Sequence, residues 1–426
     1  MTRRLTRSLL LLGALAATHG SAAAQTLEGF AKFPADTFAP GPTSGQLITA
    51  ANGRVPPFED KQPVQGISSV LAGLHGDFWV MADNGFGAKE NSPDFVLRIY
   101  HIEPDFRTRL GGSGRIALKS FISLRDPDHK INFPIVADGA VYPGSTIPVD
   151  PLIKRKRLLT GGDFDIESVG VGHDGTLWFG DEFGPFLLHT DTKGRVLDAP
   201  YPLPGVRSPQ NPFLSGGTPN LPRSKGFEGM AVSCNERVLY PMLEGALTTD
   251  PDQHRLIINE FSVKARRYTG RQWFYRLEAA SPTGQSIGDF TQINDHAFLV
   301  IERDNFEGGL AVFKKIFLVD FDEVDPAGFL VKHQVADLLH LDDPGNLAGF
   351  GPTFRFPFQT IESVIVQGRR TLGVLNDNNY PFSAGRVPGQ PDPNEFIVIK
   401  LDRPLPHACH DEREDDRHDR DEGGSR

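Results

Sequence analysis

Five segments of this 426-residue chain share one layout, and that repetition narrows the possible folds more than anything else in the sequence. Each opens on a large apolar residue, passes through a small or acidic pair to another apolar residue, turns, and then follows an apolar strand that ends in acids or amides. They begin at Ile67 (ISSV, then DFWVMADNGFG), Ile166 (IESV, then TLWFGDEFGP), Phe227 (FEGM, then RVLYPMLEG), Ile287 (IGDF, then AFLVIERDNF) and Ile361 (IESV, then TLGVLNDNNYPF). The two middle steps are about 60 residues, room for four short antiparallel strands with their loops, which is the content of one propeller blade. Later strands stand where such a blade needs them: RLIINEFSV and RQWFYRLE after the third start, KKIFLVDF and FLVKHQVADL after the fourth. The pattern predicts an all-β chain, a β-propeller of five or six four-stranded blades, seven at the outside.

The step from Ile67 to Ile166 is the longest. It holds FVLRIYHIE and RIALKSFISL and then a stretch rich in Pro, Gly and charge, which reads as an insertion over residues 126–156, with a degenerate sixth blade as the competing reading. The last repeat carries about three strands, ending in EFIVIKL, so the N-terminal LEGFAKF is expected to supply the fourth. Such closure puts both ends of the chain in one blade and removes open sheet edges. Residues 407–426 form a mixed-charge run without apolar periodicity, expected to be a disordered tail, and the propeller domain is expected over 25–406.

Arg3, Arg4 and Arg7, the apolar run Leu9–Ala17 and the small residues Ala22, Ala23 and Ala24 have the three-part layout of a secretory leader over residues 1–24. Export to the periplasm or the exterior is the expectation, with no membrane span, because a span needs about 20 apolar residues. Cys234 and Cys409 are the two cysteines, and an oxidising compartment permits a bridge between them; two cysteines so far apart are not a zinc signature. The formal charge is −10, more negative once the leader arginines are removed. That excess argues against nucleic acid as a partner and suits a cation site. A monomer is expected.

In a propeller the first strand of every blade lines a central channel, so equivalent positions of successive repeats converge. Glu167, Glu228 and Glu362 share one column, with Ser68 and Gly288 in it for the other two repeats. A second column, at the end of the next strand, holds Asp83-Asn84, Asp181-Glu182, Glu244, Glu302 and Asn376-Asp377-Asn378. Carboxylates brought together repel unless a cation or protons neutralise them, and hard oxygen donors suit calcium or magnesium. Glu167, Asp181, Glu182, Glu228, Glu302 and Asp377 are therefore the expected metal ligands, with Glu228, Glu167 and Glu362 the candidates for general base. Arg223, Lys225 and Arg303 flank these columns and are expected to contact substrate, since a cation beside a metal site can share the oxygens of a phosphate. The chain has no Gly-x-Ser-x-Gly elbow, Ser168 and Ser363 read as packing residues, and His173 and His296 fall in turns; water is the better nucleophile.

The stretches DFDIESVGVGHDGTLWFGDEFGPFLLHTD, GFEGMAVS, IGDFTQINDHAFLVIERDNF and TIESVIVQ…LNDNNYPF, with FPADTFAPGPTSGQ near the N-terminus, together resemble the "esterase-like activity of phytase" family of exported bacterial proteins. The resemblance implies a β-propeller and phosphoester hydrolysis, by distant similarity to calcium-dependent propeller phytases. Dense Asp/Lys clusters suited to a substrate with many phosphates are missing, which points away from inositol hexakisphosphate and toward a small phosphorylated or ester substrate. A metal-dependent lactonase or carboxylesterase is the second reading. A non-catalytic ligand- or protein-binding propeller with a structural cation is the third.

Overall fold

A computed structural model describes residues 25–279 and 284–409. Four-stranded antiparallel meanders follow one another along the chain. The first comprises Ile67–Ala72, Phe78–Ala82, Arg98–Asp105 and Arg115–Ser123. The second comprises Ile166–Val171, Leu177–Asp181, Phe186–Thr190 and Tyr201–Pro202. The third comprises Phe227–Val232, Val238–Leu243, Arg255–Ser262 and Arg267–Arg276. The fourth comprises Gln285–Gln292, Ala297–Asp304, Lys314–Val324 and Leu330–Asp337. Thr360–Gly368, Thr371–Asp377 and Asn394–Lys400 begin the fifth, and Thr26–Phe33 completes it by pairing antiparallel to Asn394–Lys400. Each first strand packs beside the next and the fifth packs beside the first, so five blades close a β-propeller around a channel.

The hydrophobic core lies between blades rather than inside the channel. Phe78, Val80 and Tyr100 of the first blade meet Leu375 and Phe396 of the fifth. The Phe78 and Phe396 rings stand edge to face with centroids 4.9 Å apart. Met242 and Ile258 of the third meet Ile287, Phe298 and Val319 of the fourth. Each fully buried side chain of this size stabilises the fold by about 1.5–3 kcal/mol, so blade contacts hold the wheel and free the channel lining for polar groups.

Among the described residues, the segment between the first two blades contains no sixth blade. It holds a 3-10 turn at Val136–Asp138 and a short helix at Pro151–Lys156, whose N-terminus is capped by Leu152 N donating to Asp150 Oδ1 at 2.7 Å. Tyr142, Val149 and Ile153 bury against Phe164 and Phe179, so this excursion is anchored to the second blade. Cys234, in a turn of the third blade, is disulfide-bonded to Cys409, and Cys409 N donates to Ile293 O at 3.1 Å. The chain is thus placed beyond residue 407, where the charged tail was expected to start. The predicted leader, and the tail from residue 410 on, lie outside the described residues.

Candidate metal site

A single irregularity, repeated in every blade, builds one mouth of the channel. Pairing between the first and second strands slips by one residue between Ile67 and Ser69, Ile166 and Ser168, Phe227 and Gly229, Ile287 and Asp289, and Ile361 and Ser363. The residues passed over are Ser68, Glu167, Glu228, Gly288 and Glu362, the whole of the first sequence column. A β-bulge leaves one residue out of the ladder and re-aims its side chain. At Gly288 a Cβ would lie 2.0 Å from the Ile361 carbonyl oxygen, so the fourth blade offers no side chain in this ring.

The second ring follows from strand pairing. Ile67, Ile166, Phe227, Ile287 and Ile361 pair with Ala82, Asp181, Leu243, Glu302 and Asn376. Successive residues of a strand face opposite ways, so the side chains one position further, Asp83, Glu182, Glu244, Arg303 and Asp377, share the other face. All five line the mouth together with Glu167, Glu228 and Glu362. Asp165 joins them from the approach to the second blade. The mouth is a cavity of about 210 Å³ bounded by these eight carboxylates, by Lys225 and Arg303, and by the amides of Asn84, Asn305, Gln359 and Asn379.

The ring divides into two halves. Arg303 donates to Glu362 Oε1 at 2.9 Å and lies 3.7 Å from both Glu228 and Glu244. Lys225 is bonded to Glu244, and Ser68 Oγ donates to Glu362 Oε2 at 3.0 Å. On the other half Asp165, Glu167 and Glu182 offer oxygens within 4.8 Å of one another, and Glu182 forms a second such group with Glu228 and Glu244 of the first half. Asp165 Oδ1, Glu182 Oε1 and Glu228 Oε1 are buried and accept no hydrogen bond. Two like charges 4 Å apart repel by about 4 kcal/mol at an effective dielectric of about 20.

Burial governs titration on both halves, with Glu244 the exception. Burial, and then neighbouring carboxylates, hold Asp83, Glu167, Glu182 and Glu228 well above the usual carboxylate range. Burial pushes Glu362 up to about 8 against the pull of Arg303, and Asp377 up to about 7. Glu244 goes the other way, because Lys225 and Arg303 together outweigh its burial. Asp165, Glu167 and Glu182, raised by burial, with no basic side chain bonded to them among the described residues and with two buried oxygens, Asp165 Oδ1 and Glu182 Oε1, outside any hydrogen bond, are a donor set that fits a hard divalent cation.

The structure brings Glu167, Glu182, Glu228, Glu362, Asp377, Lys225 and Arg303 to this mouth and places three predicted residues elsewhere. Asp181 faces away and accepts from Asp165 N at 2.9 Å and Gly184 N at 2.7 Å, fixing the turn that carries Asp165 and Glu182. Glu302 also lies on the opposite strand face, held by Tyr275 OH at 2.6 Å, Glu278 N at 2.6 Å and Lys332 Nζ at 3.0 Å. Arg223 is exposed and paired with Glu90. The predicted ligand set omitted Asp83, Glu244 and Asp165. The first two stand in the second column, where the repeat signal had already put them. Asp165 has Gly66, Gly226, Ser286 and Thr360 at the equivalent positions, so no repeat signal marks it.

The sequence profile described as "Phytase-like: Esterase-like activity of phytase" matches residues 62–380. A relative from Arthroderma benhamiae described as "Uncharacterized secreted protein" is 27% identical over 183 residues, covering 35% of this chain. The chain spans 36% of the length of that relative. Among solved structures, the chain is similar to a luciferin-regenerating enzyme (12% identity, 91% of this chain and 96% of the other, TM-score 0.36). It is also similar to an endo-arabinanase of Bacillus licheniformis (9% identity, 78% and 91%, TM-score 0.36). A third likeness is to the Cps50 β-propeller domain of Myceliophteria thermophila (8% identity, 76% and 66%, TM-score 0.30). Among the described residues no helix is long and apolar enough to cross a membrane.

Proposed function

Since the chain belongs to the phytase-like family described by esterase-like activity of phytase, we propose that it is an exported hydrolase that cleaves a small phosphoester with the help of a divalent cation, calcium or magnesium, held by Asp165, Glu167 and Glu182. The observation that carries this reading is the divided mouth: a carboxylate group without a basic partner on one side, and Arg303 with Lys225 on the other. Bound there, a cation supplies Lewis-acid polarisation of an ester oxygen and a more acidic water.

The chain's own groups have separate tasks. Arg303, buried and with its Nε–H unbonded, offers a fixed guanidinium to the phosphoryl oxygens, and Lys225 adds a second positive charge beside Glu244. Glu362 is the bulge glutamate outside both carboxylate groups, and its contacts with Ser68 and Arg303 fix its orientation, which suits a proton acceptor for the attacking water. A cavity of about 210 Å³ admits a phosphoryl head rather than a whole large ligand, which usually needs about 300 Å³ or more. That size again disfavours inositol hexakisphosphate. An uncharged lactone or carboxylic ester would bring no anionic oxygen to the unbonded Nε–H of Arg303.

Hydrolysis of an aryl phosphate by the mature protein, with calcium and then with chelator, tests the proposal. The expected result is turnover that the chelator abolishes and that Glu362→Gln lowers by about 100-fold or more. Chelator-insensitive turnover, or turnover of lactones and none of phosphates, removes it.

A further inference from the structure

We propose that the outer edge of the first two blades carries a second ligand site, one that binds a phosphate monoester with a compact apolar group and does not cleave it. The site is a cavity of about 510 Å³ that shares no lining residue with the acidic mouth. Phe121, Ile122 and Ser123, at the end of the first blade's outermost strand, form one wall. Leu152 and Lys156 of the short helix form another, and Lys193 stands in the turn that follows Phe186–Thr190. The excursion between the two blades thus supplies part of the enclosure, a task the chemistry of the channel does not give it.

The lining carries four cations, Arg98, Arg125, Lys156 and Lys193, and no acid, in a chain whose formal charge is −10. Among the described residues none of the four is ion-paired. The acids close to them in sequence are engaged elsewhere: Asp126 accepts from Lys130 N at 2.7 Å and pairs with Arg157, and Asp128 pairs with Arg195. Arg98 is the most informative member, because it is only 2% exposed. Its Nη2 donates to Pro40 O at 2.9 Å and its Nε to Ser123 Oγ at 3.3 Å, while Nη1 makes no hydrogen bond. Its guanidinium carbon lies 4.1 Å from the centroid of the Phe121 ring, and a Cβ on Gly41 would come within 2.6 Å of Nη2, so ring and glycine together shape a seat for it. Buried charges are ordinarily paired. A guanidinium held in place without a carboxylate is prearranged for an anion from outside the chain.

Charge and size select the ligand. A phosphate monoester brings about 1.5–2 negative charges and three acceptor oxygens near pH 7, which answers several cations at once, whereas a carboxylate brings a single charge. Phe121, Ile122, Leu152 and Leu158 offer apolar surface to the rest of the molecule, and the cavity falls within the range of about 300–1,000 Å³ usual for small-molecule sites. The lining has no carboxylate or histidine to hold a metal or take a proton from water, so the site binds its ligand without hydrolysing it.

Calorimetric titration of chelator-treated mature protein with phenylphosphonate, a non-hydrolysable stand-in for an aryl phosphate, tests this whether or not the mouth is catalytic. One equivalent should bind, and benzoate should bind at least about 10-fold more weakly. Lys156→Ala combined with Lys193→Ala, both exposed positions, should weaken phenylphosphonate by at least about 10-fold. Arg98→Gln should weaken it by at least about 30-fold. Melting curves check that Arg98→Gln is folded, and the lysine pair carries the test if it is not. Lys225→Ala, at the mouth, should leave the affinity within about twofold. Absence of binding overturns the inference, as does binding that survives the lysine pair or that Lys225→Ala removes. Benzoate held as tightly as phenylphosphonate overturns the assignment to phosphate monoesters.

Discussion

The same five strands line both ends of the channel, yet the two ends have opposite characters. At their starts the bulged residues and their neighbours gather eight carboxylates around a polar cavity. Toward their far ends the strands present Val70, Val169, Met230 and Val364, with a single strand carboxylate, Asp289, that accepts from Val364 N at 2.7 Å, around a cavity of about 340 Å³ that Ala408 and Cys409 border. The far end is ordered by packing and by the bridge from Cys234 to Cys409; the acidic end is held in an arrangement its own charges oppose. A ring that destabilises its own fold in the absence of a counter-ion has the signature of a site kept for binding rather than for stability.

If that contrast is right, changes at the two ends should separate activity from stability. The largest effect is expected from Arg303→Met, which removes the guanidinium that three glutamates share. It should lower kcat/KM for an aryl phosphate by about 100-fold or more, and it should destabilise the fold by about 3–5 kcal/mol because buried charges lose their partner. Chelator-free denaturant unfolding and steady-state kinetics read the two losses. At the other end, Cys234→Ser with Cys409→Ser should cost about 2–5 kcal/mol in the same unfolding assay, while kcat/KM below the melting point stays within about twofold.

A third expectation concerns pH. Burial raises Glu362 to about 8 and Asp377 to about 7 in the folded chain, above their values in the unfolded one. Groups shifted this way stabilise the fold fully below about pH 4, and that contribution is lost as pH rises through 7 to 8. The melting temperature of chelated protein should therefore fall by about 5 °C or more between pH 5 and pH 8, and calcium should restore it at pH 8. A chelated melting temperature that climbs over this range contradicts the electrostatic account. The smallest effect is expected for Arg223→Ala, where an exposed ion pair with Glu90 is lost: under about 0.5 kcal/mol in unfolding, and no measurable change in kcat/KM.

The wheel itself was legible in the sequence because repetition carries its own evidence. The five starts mark the residue before each bulge, and LEGFAKF completes the last blade. The first column was legible for the same reason, since a bulge conserves position from blade to blade. The second column was less so. Asp181-Glu182 and Glu302-Arg303 each place a charged pair at a strand end, and which member faces the channel depends on pleat register, which neighbouring residues in a sequence do not reveal. Register turns Asp181 and Glu302 away and puts Arg303 in the ring as its cationic member. Asp165 was illegible for a different reason: it belongs to one blade alone.

Diffraction from crystals soaked in manganese, used as an anomalous stand-in for calcium or magnesium, tests the central claim most directly. A peak bound by Asp165, Glu167 and Glu182 is the result expected. An empty mouth, with Glu167, Glu228 and Glu362 directed to separate surfaces, would contradict the convergence on which the proposed chemistry depends.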